Sequence, residues 1–197
     1  MNIIDRVKKI ITTPKTEWDV INNEPGTIVS VYTSYVLILA AASALAAFIG
    51  YAFVGFNVLG ISIRGMDWGV KQAVNVFVSS SIGYFVTSYI MDALAPSFGS
   101  EKNIDKTAQL VGYAYTPSLL GGLLTILPSL GMIGVLLGFY GVYLLYLGIG
   151  PLKKTPEDKK VIYIVVTIIV LIAISFVIGM ILGSVLGLSN MLKPSIA

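Results

Sequence analysis

Long apolar runs alternate with short polar segments along this chain. Five of them, at about 28–56, 70–92, 107–127, 130–149 and 161–188, hold about twenty or more predominantly apolar residues. A hydrocarbon core about 30 Å thick is crossed by roughly 20 helical residues, so the pattern predicts an all-α, polytopic membrane protein with five transmembrane helices. The third and fourth runs are parted only by "PSLG", Pro128 to Gly131, where a tight helical hairpin is expected because proline and glycine together stop a helix. The fifth run is longer than a perpendicular crossing needs, which implies tilt.

Polar residues inside these runs are also patterned. The second run carries Asn75, Ser79, Ser80, Ser81, Thr87, Ser88 and Asp92, and Ser81, Ser88 and Asp92 share one helical face through steps of 7 and 4. In the third, Asp105, Gln109 and Tyr113 follow at steps of four, and Pro117 frees a backbone carbonyl one turn earlier. A short loop joins the two helices, so a polar cluster of Asn75, Ser88, Asp92, Asp105, Gln109 and Tyr113 is expected between them. A carboxylate at the end of a span costs less than the roughly 2.5–3.5 kcal/mol it costs at the bilayer centre. Asp92 therefore requires no catalytic explanation, and Asp105 reads as an N-cap of the third helix.

The fourth run places Gly131, Gly134, Gly138, Gly141 and Gly148 on one narrow stripe, and the fifth repeats the device in Gly179, Gly183 and Gly187. Membrane helices lack a hydrophobic force between them and associate where small residues let backbones approach, so both stripes are read as helix-packing surfaces within or between subunits. Tyr140, Tyr143 and Tyr146 of the fourth run read as packing and interface residues.

Before the first run, Ile3, Ile4, Val7, Ile10 and Ile11 recur at helical spacing opposite Arg6, Lys8, Lys9 and Thr12. Residues 1–27 are accordingly expected to form a cytoplasmic amphipathic segment in the headgroup layer. Pro14 would end its first helix, and Thr16 would cap a second that turns Trp18 and Ile21 to the interface. Lys8, Lys9, Trp18, Lys153 and Lys154 are the candidate membrane-interface residues, with anionic lipid as the candidate partner. The five spans make residues 28–190 a transmembrane domain, followed by a short external tail at 191–197.

Composition sharpens this picture. The 197 residues are 56% hydrophobic and 12% charged, with a mean hydropathy of +0.87, whereas soluble domains are about 25% charged. With the N-terminus cytoplasmic, the inner segments hold Arg6, Lys8, Lys9, Lys15, Lys102, Lys106, Lys153, Lys154, Lys159 and Lys160, ten basic residues. The outer ones hold Arg64, Lys71 and Lys193, three. The positive-inside rule then gives N-in, C-out, and the charged N-terminus lacks the apolar core of a signal peptide.

The chain has no Cys and no His, which removes thiol and imidazole chemistry and the usual zinc and haem sites, so no metal and no cofactor are expected. The two aspartates raise an intramembrane aspartyl protease, but its Gly-x-Gly-Asp setting is missing, as are P-loop, dinucleotide and HExxH motifs. No enzymatic activity and no nucleic-acid partner are expected.

"RVKKIITTPKTEWDVINNEPGT", "DALAPSFGSEKNIDKTAQLVGYAYTPSLLGG" and "YLLYLGIGPLKKTPEDKK" resemble the prokaryotic inner-membrane branch of the Yip (Ypt-interacting protein) family over nearly the whole chain. "GYAYTP" is similar to that family's Gly-Tyr-x-Tyr/Ser-x-Pro region. The resemblance implies five helices and a cytoplasmic N-terminus. Eukaryotic relatives are associated with Rab-type GTPases, traffic between ER and Golgi, and membrane shaping. The long cytosolic N-terminal region they carry is not seen here, so GTPase binding is not expected. The prokaryotic relatives are mostly inner-membrane proteins without an assigned activity, and the resemblance implies a multi-pass inner-membrane protein.

Two functions compete on these residues. One is a non-enzymatic scaffold, adaptor or membrane-organising protein that self-associates or binds other membrane proteins. The other is a small transporter, channel or lipid-moving protein with a cytoplasm-facing polar cavity around Asp92.

Overall fold

A computed structural model describes residues 2–58 and 61–185 of the chain. Nine α-helices are formed among the described residues: α1 (Ile3–Thr12), α2 (Pro14–Asn23), α3 (Ile28–Val31), α4 (Leu37–Ile49), α5 (Met66–Leu94), α6 (Ile104–Ala114), α7 (Thr116–Leu123), α8 (Gly131–Lys153) and α9 (Lys160–Val185). A π-helical turn at Tyr32–Val36 joins α3 to α4, and a second at Gly50–Val54 ends that rod. Between α4 and α5 a small hairpin pairs β1 (Phe56–Val58) antiparallel with β2 (Ile61–Ile63). Three helical stretches among the described residues are long and apolar enough to cross a membrane: Ile28–Val54, Met66–Phe98 and Pro128–Lys153.

The third apolar run is not one rod. Pro117 has no N–H for the carbonyl of Tyr113, and its ring crowds that carbonyl, so the helix breaks at Tyr115 into α6 and α7. The hydroxyl of Thr116 takes over, donating to Tyr113 O at 2.6 Å while pairing with the Tyr35 hydroxyl at 2.7 Å. Such a break is tolerated at membrane depth only inside protein, and every residue from Thr107 to Ala114 is buried. The turn at Pro128–Leu130 then leads into α8.

The glycine stripe of α8 faces inward, within the chain. A methyl group built on Gly134 would lie 2.8 Å from the carbonyl oxygen of Gly121 on α7, and one on Gly148 would lie 2.6 Å from the Trp18 indole and from Leu110. Gly141 meets the Ala114 carbonyl and Gly138 the Ser118 hydroxyl, while Gly131 faces open space. Of the second stripe, Gly179 and Gly183 fall on α9 where side-chain surroundings are not described, and Gly187 lies outside the described residues, as does the tail at 191–197.

The N-terminal segment buries one face against the rest of the protein and leaves Ile4, Lys8, Lys9 and Val20 exposed. Ile10, Trp18 and Ile21 are fully buried, against α8 and the core below α6. The Tyr140 hydroxyl of α8 donates to Ile11 O at 2.8 Å. Pro14 does not merely end α1; it occupies the first position of α2, where its missing N–H costs nothing. Thr13, not Thr16, precedes that helix, and the Thr16 hydroxyl only donates back to Thr13 O.

Candidate functional site

Two polar clusters lie at the end of the bundle where α1, α2, the start of α6 and the end of α8 meet. The first is built on Arg6. This side chain is fully buried and donates to Glu17 on α2 and to Glu24 just after it. Its guanidinium carbon stands 5.1 Å from the centre of the Tyr113 ring. A buried charge of this kind is stable only when paired and hydrogen-bonded, and two carboxylates with an aromatic face meet that need. The surrounding backbone is tied in as well. Lys106 Nζ donates to Asn22 O at 2.6 Å, Gln109 Nε2 to Glu24 O at 3.1 Å, and Ile28 N to Asp105 Oδ1 at 2.9 Å.

Asp105 therefore serves the first turn of α3, and the cap of α6 is Asn103, whose side chain accepts from Lys106 N at 3.1 Å. A cavity of about 340 Å³ opens beside this cluster, lined by Ile3, Glu24, Pro25, Ser34, Tyr35 and Tyr113.

The second cluster is centred on Asp92. Its Oδ1 accepts from Lys153 Nζ at 2.7 Å, from the Thr107 hydroxyl at 2.9 Å and from Asn103 N at 2.8 Å. Lys153 is fully buried and donates further to Thr107 Oγ1 at 2.5 Å. Three helices are joined by one oxygen: α5 through Asp92, α6 through Thr107 and α8 through its last residue.

The expected single cluster of six residues is thus divided. Asp92 meets Thr107 and Lys153, not Gln109 or Tyr113. Gln109, Tyr113 and Asp105 belong to the Arg6 side, because the break at Pro117 and the docking of α2 turn that face of α6 to the N-terminal helices. Ser88 is fully buried with no partner for its hydroxyl among the described residues, and Asn75 is exposed far up α5. Of the candidate interface residues, Lys8 and Lys9 are exposed. Lys154 is exposed and paired with Glu101 at 2.5 Å. Trp18 and Lys153 are inside the protein, the first because Gly148 leaves room for its indole and the second because Asp92 neutralises it.

Arg6, Glu17, Glu24, Asn103 and Thr107 are site residues that the sequence reading left out. A signal for them existed. Arg6 is three residues after Ile3 and four before Ile10, at the edge of the apolar stripe of α1, and Glu17 stands four before Ile21.

Toward the other end, α5 exposes a face of different character. Trp68 and Tyr89 are exposed at 47% and 58%. They are 21 residues apart, about 31 Å along a helix, close to the thickness of a hydrocarbon core. Between them Asn75 and Ser79 are exposed one turn apart, and neither side chain has a hydrogen-bond partner among the described residues.

Long apolar helices locked by glycine contacts, with the buried pairs Arg6–Glu17 and Asp92–Lys153 gathered at one end, define a helical membrane protein. Comparison with known families agrees and is more specific. The Yip1 domain model matches residues 8–187, and the chain belongs to that family. It is similar to the inner membrane protein YohC of Escherichia coli (strain K12), with 31% identity over 141 residues covering 69% of this chain and 72% of that protein. The protein of the same name from Escherichia coli O6:H1 (strain CFT073) matches to the same extent. No solved structure gives a significant match.

Proposed function

We propose that this protein is a non-enzymatic, multi-pass scaffold of the inner membrane that organises the bilayer by self-association through α5. The observation that carries the reading is the exposed pair Asn75 and Ser79 within the apolar helical stretch Met66–Phe98. A carboxamide is both donor and acceptor, so two copies related by a twofold axis satisfy each other through the same residue, and polar side chains are a recognised glue between membrane helices.

The reading takes residues 28–190 as a five-crossing domain with the N-terminus cytoplasmic. Its support is that the three lysine-bearing segments, with ten of the thirteen basic residues, converge on the end where Arg6 and Asp92 are paired. Lys8 and Lys9 are left free to meet anionic lipid at that face. The transporter alternative drew on Asp92 as a cavity group, and the engagement of its Oδ1 by three donors favours the scaffold instead.

The test is energy transfer between donor- and acceptor-labelled copies in phosphatidylcholine/phosphatidylglycerol vesicles. Transfer should fall as lipid dilutes the protein. Asn75→Leu with Ser79→Ala should weaken association by about 1–2 kcal/mol, roughly 5- to 30-fold. Transfer no greater than that of a monomeric control, or a variant that associates like the wild type, refutes the reading.

A further inference from the structure

The Arg6 cluster carries an imbalance that the scaffold role does not use. Arg6 and Lys106 bring two positive charges to this corner, and Glu17, Glu24 and Asp105 bring three negative ones. Arg6 lies between two carboxylates, and Lys106 is directed at backbone carbonyls. The excess negative charge falls on Glu24, because Glu17 is 5% exposed and Glu24 is 36% exposed and lines the cavity. Only Glu24 Oε2 is engaged by Arg6, and among the described residues Oε1 has no partner.

Two further acceptors line the same space. The Tyr113 side chain is 93% buried by its residue exposure of 7%, and its hydroxyl has no hydrogen-bond partner among the described residues. Ser34 uses its proton on Ser30 O at 2.6 Å, which leaves its oxygen lone pairs facing outward. Ser34 and Tyr35 are presented by the π-helical turn Tyr32–Val36, a distortion that recurs at functional sites. The Tyr35 and Tyr113 rings pack edge to face, with centroids 4.8 Å apart, and give the cavity an aromatic wall.

We propose that this cavity binds a primary ammonium group, such as the ethanolamine headgroup of a phospholipid. An –NH₃⁺ group brings one positive charge and three N–H donors. The cavity offers one carboxylate oxygen free of Arg6, one phenolic oxygen and one hydroxyl oxygen. At about 340 Å³ it admits a headgroup and not the acyl chains. Its place fits that guest: Glu24 and Pro25 immediately precede the apolar stretch beginning at Ile28, and Ile3 borders the exposed Ile4. A quaternary choline has no N–H donors, and a glycerol headgroup has no charge to match Glu24, so the site discriminates among headgroups.

Native mass spectrometry of the full-length detergent-solubilised protein tests this, with phosphatidylethanolamine, phosphatidylcholine and phosphatidylglycerol of identical chains as probes. The wild type should retain phosphatidylethanolamine best. Glu24→Gln keeps an oxygen for Arg6 but removes the excess charge, and should weaken that retention about tenfold or more while leaving the other two lipids unchanged. Tyr113→Phe keeps the ring under Arg6, does not depend on the ion pair for folding, and should weaken it roughly 2- to 10-fold.

Free ethanolamine added as competitor separates the sources. Displacement supports the ammonium site with a soluble amine as guest, and retention of the lipid supports it with the headgroup as guest. Equal retention of the three lipids by the wild type overturns the proposal, as does unchanged phosphatidylethanolamine selectivity in Tyr113→Phe and in any folded Glu24→Gln. The readout concerns single chains, so it stands or falls separately from self-association.

Discussion

Removing either member of the Asp92–Lys153 pair should cost more than removing both. Lys153→Met preserves the length of the side chain and leaves Asp92, a buried carboxylate 6% exposed as a residue, without a counter-charge. Loss of one partner of a buried pair costs about 3–5 kcal/mol. Here the lower half of that range applies, because Thr107 and the Asn103 amide still donate to the same oxygen. Asp92→Asn should cost toward the upper half. It leaves the ammonium of Lys153 fully buried without a counter-charge, facing only the neutral acceptors Thr107 Oγ1, Asn103 O and the new carboxamide oxygen. In the double variant no charge remains, and the carboxamide oxygen introduced at position 92 can still accept from Thr107 and Asn103, so the total should fall below that of Asp92→Asn alone.

Reversible unfolding in mixed micelles with increasing SDS, followed by circular dichroism, gives the four free energies of the cycle. The coupling should be no smaller than the Lys153→Met cost itself, about 3 kcal/mol or more, at the upper end of what contacting residues show. Additive single effects, or an Asp92→Asn cost within about 0.5 kcal/mol of zero as at an ordinary surface site, would refute the view that this oxygen joins α5, α6 and α8.

Two other outcomes are checked on the same preparation. Gly148→Ala forces a methyl against Trp18 and Leu110 at 2.6 Å and should destabilise by about 1–3 kcal/mol, whereas Gly131→Ala, with nothing within 4 Å, should be neutral or slightly stabilising in the same titration. The chain has two tryptophans. Trp68→Phe leaves only the fully buried Trp18, whose fluorescence should resist quenching by brominated lipids, while Trp18→Phe leaves the exposed Trp68, whose emission should be quenched strongly.

The spans were legible in the sequence because a bilayer imposes length and polarity on a helix whatever its neighbours are. The runs at 28–56, 70–92 and 130–149 coincide to within six residues with Ile28–Val54, Met66–Phe98 and Pro128–Lys153, helical stretches long and apolar enough to cross a membrane. The third run failed as a single helix at Pro117, a residue whose effect on the preceding turn was foreseeable but whose outcome depended on Thr116, itself paired with Tyr35, serving the freed carbonyl. Partners at long sequence distance were not legible. Nothing local to Asp92 points to Lys153, 61 residues later, since a lysine beside Lys154 in a polar loop looks the same whether it faces water or a carboxylate. Trp18 likewise has the pattern of an interface residue, and only the absence of a side chain at Gly148 gives it an interior place.

The N-terminal helices show what decides between two apolar surroundings for one amphipathic sequence. Within the hydrocarbon, burying apolar surface against protein gains little over lipid, so α7 and α8 must touch through glycine backbone. Where water bounds the bundle, burial of Ile10 and Ile21 is worth about 1.5–3 kcal/mol for each side chain, and Trp18 adds to it. Lipid headgroups would accept those same residues, so apolar burial alone does not fix the helices on the bundle. Arg6 breaks the tie: at the edge of the apolar stripe it would have to reach out of the acyl boundary to stay hydrated, whereas against the bundle it finds Glu17, Glu24 and the Tyr113 ring in one place. The charge that looked like part of a lipid-facing polar side is thus the group that turns α1 and α2 inward.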